Sequence, residues 1–109
     1  MISTPKRLGA ARPADTNNAT VCTADNVTLV IKSIRICNTT GTAATCRVFL
    51  VPSGGTADQT TSIYYDFNIP ANDALADDGE HVLEKGGTLQ VRTDTANALT
   101  FTASGVELG

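Results

Sequence analysis

Histidine occurs once, at His81, tryptophan is absent, and only 5% of the residues are aromatic. A lone imidazole leaves little acid–base chemistry to build, because a general base needs a positioned partner in a cleft. No serine or cysteine stands in a nucleophile-elbow context, so a hydrolytic triad has no framework. No glycine-rich phosphate loop is present. No run approaches the ~18 consecutive apolar residues of a membrane-spanning helix. Met1–Arg12 lacks the apolar stretch of a secretory signal. The expectation is a protein that is neither exported nor membrane-bound. Cys22, Cys37 and Cys46 are odd in number and match no zinc spacing. Without export, disulfides are not expected. Buried free thiols acting as small apolar side chains are the simpler reading, with a Cys37–Cys46 bridge between neighbouring strands as the alternative. The glycosylation sequons at Asn18, Asn26 and Asn38 are then coincidences of a Thr-rich chain.

Charge is also sparse. Charged residues make up 17% of the chain and the net charge is −3, so the molecule as a whole is no nucleic-acid footprint. Thr, Ser and Asn carry much of the polarity, and the branched Cβ of Thr suits a pleated surface. Apolar residues at 41% are enough for a globular domain. A chain of 109 residues makes one domain, burying roughly 60–70% of its unfolded surface. The few charges are unevenly placed. Residues 1–12 hold Lys6, Arg7 and Arg12 with no acid, whereas residues 48–84 hold Asp58, Asp66, Asp73, Asp77, Asp78, Glu80 and Glu84 with no Lys or Arg. Such regions attract each other between copies, or they are solvated loops whose pairs contribute little.

Residues 1–19 show no period. Pro5, Gly9 and Pro13 break helices and the Asn/Asp cluster favours turns, which predicts an extended N-terminal arm, with Ile2 and Leu8 as apolar anchors. Residues 20–109 form the folded domain. Val21 to Asn38 reads as strand with a turn at Ala24–Asn26. Its apolar core changes parity: Val27, Leu29 and Ile31 lie on one side, Ile34 and Ile36 on the other. Either a β-bulge near Ile31–Ser33 switches the register, or the strand is buried on both faces. A second strand, Thr45 to Val51, places Cys46, Val48 and Leu50 against Arg47 and Phe49, and the pair is expected to form a hairpin. Ser62 to Pro70 alternates most cleanly, with Ile63, Tyr65, Phe67 and Ile69 on one face. Ala71 to Gly87 is acidic and turn-prone, with apolar anchors at Leu75, Val82 and Leu83. Strands from Thr88 to Asp94 (Leu89 and Val91 inward) and from Ala98 to Leu108 (Leu99, Phe101 and Ala103 on one parity) complete the chain. About six to eight short strands predict an all-β fold, an antiparallel β-sandwich of jelly-roll or immunoglobulin-like type.

Few residues invite chemistry. Asp73, Asp77, Asp78 and Glu80 around Gly79 suggest calcium, but the spacing is not that of an EF-hand and a solvated acidic loop is the plainer reading. His81 has Glu80 and Glu84 nearby, yet a turn histidine is the simpler assignment. Neither a metal nor a cofactor is expected. Adjacent Tyr64 and Tyr65 suggest one ring in the core and one outside, available for a sugar or a protein.

Three stretches, Ile34–Thr56 (IRICNTTGTAATCRVFLVPSGGT), Tyr64–Leu75 (YYDFNIPANDAL) and Leu83–Leu108 (LEKGGTLQVRTDTANALTFTASGVEL), together resemble small structural proteins of tailed-bacteriophage virions, above all capsid decoration (cement) proteins. The resemblance spans about residues 20–108 and rests on strand and turn texts, so it transfers no functional residue. It implies a non-enzymatic protein on the capsid exterior, assembled in the bacterial cytoplasm, that bridges major capsid protein subunits. A homotrimer at a local three-fold site is the expected assembly. The other reading it implies is a neck, tail or fibre module, with glycan or receptor binding through Tyr64 or Tyr65 and the Gly54–Gly55 loop. The candidate interface residues are Ile2, Lys6, Arg7, Leu8 and Arg12 of the arm, with Tyr64. No direct contact with nucleic acid is expected.

Overall fold

Short runs of β-branched and aromatic residues separated by Gly, Pro, Asn and Asp have one economical solution, two sheets that bury their alternate residues against each other. A computed structural model of the chain describes residues 3–108. The strands are β1 (Ser3–Ala11), β2 (Ala19–Thr23), β3 (Thr28–Asn38), β4 (Ala44–Val51), β5 (Ser62–Ile69), β6 (Ala74–Asp77), β7 (His81–Leu83), β8 (Thr88–Thr93) and β9 (Leu99–Leu108), with a single 3-10 turn at Gln59–Thr61. The five-stranded sheet runs β1-β9-β3-β6, with β7 also on β3, and the four-stranded sheet runs β2-β8-β4-β5. All the pairings are antiparallel.

β6 and β7 lie end to end along β3. Counted as one strand, they give a chain whose first strand pairs with its last, second with next-to-last, and so inward to β4–β5. That nested pairing, folded over into two sheets, is jelly-roll topology. The expected sandwich therefore forms, in the jelly-roll rather than the immunoglobulin arrangement. The expected hairpin does not. β3 and β4 belong to different sheets, so residues 39–43 carry the chain across the sandwich. Local alternation reports which side chains are inward and says nothing of which strand is the partner.

The core is the space between the sheets. Ile31, Ile34, Ile36, Val48, Leu89, Val91, Leu99 and Phe101 are at most 1% exposed, and each such side chain contributes about 1.5–3 kcal/mol of burial. The parity change in β3 is a bulge. Ile31 faces Gly105 and Ser33 faces Ser104, which leaves Lys32 unopposed, so Ile31 and Ile34 both point inward. Gly105 is required there, because a Cβ would run into the Val30 carbonyl oxygen. A second close approach lies at Gly9, whose missing Cβ makes room for the Val21 carbonyl where β1 and β2 meet along one side of the sandwich.

Residues 3–11 are thus strand and not part of a free arm. β1 pairs with β9 from Ser3↔Leu108 to Ala11↔Phe101, interrupted by a bulge at Leu8. Pro5 is tolerated because β1 is an edge strand. Bulge, proline and glycine together erase the period that would have marked the segment as strand.

Candidate functional site

The outward residues of the five-stranded sheet fall into rows set by its register. Pro5, Val106, Val30 and Val82 stand side by side across four strands. Val82 is 54% exposed, the most of any large apolar side chain among the described residues. Val30 and Val106 are half-buried and Pro5 is exposed. The next row is Arg7, Ser104 and Ser33, and the one after it Ala10, Thr102, Arg35 and Ala76. These rows are therefore small-residued, with an apolar row, two exposed arginines in the two rows to one side of it, and no acid among them. Lys32, displaced by the bulge, forms a 2.7 Å ion pair with Glu80 at its margin.

The residues expected to form an interface are differently employed. Ile2 lies outside the described residues. Lys6 pairs with Glu107 of its own sheet at 3.1 Å. Leu8 packs against the core. Arg12 donates to Thr39 Oγ1 at 2.8 Å, Thr100 Oγ1 at 3.0 Å and the Asn97 carbonyl, fastening the end of β1 to two turns. Arg7 alone of these side chains stands on the outer face.

Tyr64 is turned inward. Its hydroxyl donates to Asp77 Oδ2 at 2.7 Å, joining the edge of one sheet to the edge of the other. Of the two adjacent rings Tyr65 is the outer one, 39% exposed. The cause is a bulge: Arg47 alone faces both Tyr65 and Asp66, and Asp66 adopts φ 53°. Asp is among the residues that accept this left-handed region. Phe67, past the bulge, stands opposite buried Cys46, meets Tyr64 of its own strand edge-on at 5.3 Å and is 41% exposed at the sheet edge.

His81 pairs with Asp77, not with Glu80 or Glu84, through Nε2 at 3.3 Å. The Gly79 N–H donates to Asp77 Oδ1 at 2.8 Å. Burial pushes the Asp77 carboxyl up, but hydrogen bonds from Tyr64, Gly79 and His81 outweigh it and hold the group below the usual carboxylate range. Burial first, then the hydrogen bond to Asp77, raises Tyr64 to about 12. A depressed carboxylate contributes stability that is present above its unfolded pKa of about 3.9 and is lost as pH falls through the lower folded value. A raised phenol contributes stability that is present below its unfolded pKa of about 10 and is lost as pH rises through the folded value. The melting temperature should therefore decline at both extremes. Tyr64→Phe should weaken both declines, as thermal melts across acid and alkaline pH will show.

Cys22 and Cys46 are buried, whereas Cys37, expected inside, is exposed on the outer face of β3. The three thiols are unpaired. Burial raises Cys22 to about 11 and Cys46 to about 12, the latter helped by Asp94. Both remain protonated and unreactive at neutral pH. Among the described residues no group of three or more His, Cys, Asp or Glu side chains is arranged to hold a metal ion.

No protein-family model matches the chain, and no curated protein does. Among solved structures, a chain of the structure of infectious bursal disease virus Gx strain is similar, at 13% identity and a TM-score of 0.39, over 97% of this chain and 28% of that one. The protein thus spans little more than a quarter of the length of that viral chain. A likeness of that degree carries no conclusion about what the protein does.

Proposed function

We propose that the protein is a non-enzymatic structural component of a tailed-phage virion, which decorates and stabilises the capsid by bridging major capsid protein subunits. The observation that carries this reading is the outward row Pro5–Val106–Val30–Val82, set in register across four strands of one sheet face. A solvated sheet face ordinarily carries polar residues at such positions. An apolar row with arginines to one side of it has the composition of a protein interface. The strand and turn texts that resemble decoration proteins support the same reading, as does a double-layered sandwich with a fully packed core. In this role the protein sits on the capsid exterior as a homotrimer, which multiplies weak contacts at a local three-fold site. The face itself, rather than a reaching arm, makes the contact with the shell.

Val82→Asp tests the reading, because the site is solvent-exposed and surface changes of this kind move stability by only about 0.5 kcal/mol. Occupancy on purified shells lacking the protein should fall at least ~10-fold, equivalent to about 1.4 kcal/mol, with an unchanged melting temperature. Undiminished occupancy would rule this face out.

A further inference from the structure

Arg47 and Arg92 stand directly opposite each other on the outer face of the four-stranded sheet, one on β4 and one on β8. Like charges in that position repel. Asp66 satisfies only one of them, taking Arg47 Nε at 2.7 Å and Nη2 at 3.3 Å. Arg92 donates its Nε to the Thr16 carbonyl at 2.8 Å, and its two terminal nitrogens have no hydrogen-bond partner among the described residues. The nearby acids are otherwise occupied. Asp58 accepts from the N–H and hydroxyl of Thr60, and Asp94 from the Thr45 N–H and the Thr95 hydroxyl.

Arg92 opens onto a groove of about 490 Å³ whose walls include Asn18, Phe49, Gln59 and Tyr65. Phe49 forms a buried floor at 2% exposure. Tyr65 carries the Arg47 guanidinium 4.0 Å from its ring centroid and is otherwise open. The groove thus combines an aromatic wall, two side-chain amides that each donate and accept, and a guanidinium fork whose planar geometry matches a carboxylate. Asp58 on its wall opposes a multiply charged phosphate more strongly than a single carboxylate.

We propose that this groove binds an acidic saccharide, a pyranose ring bearing one carboxylate. The carboxylate takes the fork of Arg92, the C–H face of the ring lies against Tyr65, and the amides of Asn18 and Gln59 read the hydroxyls. The site is on the opposite sheet from the capsid-facing row, so its failure leaves the reading of that row untouched.

Titration calorimetry of the full chain with glucuronate, glucose and acetate tests the proposal. Glucuronate should bind at least tenfold more tightly than either of the others. Arg92→Gln and Tyr65→Ala should each weaken it at least tenfold, and Arg7→Gln on the opposite sheet should not. Arg92→Gln also relieves the like-charge pair, so its melting temperature should not fall, which separates lost binding from lost structure. Equal affinity for glucuronate and acetate, equal affinity for glucuronate and glucose, no binding of glucuronate, or undiminished binding by Arg92→Gln would each overturn the proposal.

Discussion

Deleting residues 1–12 should abolish cooperative folding. The deletion removes β1, which covers one whole side of β9 from Phe101 to Leu108. It uncovers a ladder of backbone groups, each costing about 1–3 kcal/mol where water cannot reach it. It also removes Leu8 and Ala11 from the core margin, and burial of a leucine is worth about 1.5–3 kcal/mol. Arg12, which ties the turns at Thr39 and Asn97 together, goes with them. A domain of this size has only about 5–15 kcal/mol in total. Circular dichroism should show no thermal transition, or the protein should be insoluble. If the segment were an arm that merely reached a neighbour, the truncated protein would melt like the full chain and lose only its partner. A native melting temperature would therefore show that β1 is dispensable to the fold. Loss of capsid occupancy after this deletion reports unfolding and is no test of the interface.

Asn38→Ala should lower stability by about 3 kcal/mol, since orphaned buried polar groups cost about 1–3 kcal/mol each. Asn38 is 1% exposed at the end of β3. Its Nδ2 donates to the Thr42 carbonyl at 2.9 Å and the Ile69 carbonyl at 3.1 Å. Its Oδ1 accepts from the Thr40 N–H at 3.0 Å and the Thr40 hydroxyl at 2.7 Å. All the capacity of the amide is therefore used. The side chain fixes the chain where it crosses from one sheet to the other, and ties that crossing to the end of β5. The expected fall in melting temperature is roughly 10–25 °C for a domain of this size. Asn38→Asp, which keeps the acceptors and loses both donors, should also be destabilised. A melting temperature within a few degrees of the native one in both variants would remove Asn38 from this role. Its burial leaves no room in this fold for a glycan on the Asn38 amide.

The inward sets of β8 and β9, the turn at Asn26 and the parity change in β3 were legible because each depends on neighbours within a few residues. Leu89 and Val91, or Leu99, Phe101 and Ala103, announce a buried face by alternation alone. Tyr65 broke the same rule, because the extra residue opposite Arg47 places Tyr64 and Phe67 on one side and turns Tyr65 outward. Nothing in Tyr-Tyr-Asp-Phe identifies Asp66 as the residue at positive φ. The charge asymmetry was visible, but its use was not. Lys6 and Arg12 are spent within the chain, whereas the exposed Arg7 of β1 and Arg35 of β3 share one outer sheet face.

Period-two burial is a property of consecutive residues, so the chain's own text was enough to specify pleated strands, an all-β class and most of the core. Pairing is a property of residues far apart in sequence. Strand order, the partner of β1, the crossing at residues 39–43, the apolar row assembled from four strands and the opposed arginines of β4 and β8 exist only once the sheets have closed. Alternation gives a strand an inside, and only contact with other strands gives it a neighbour.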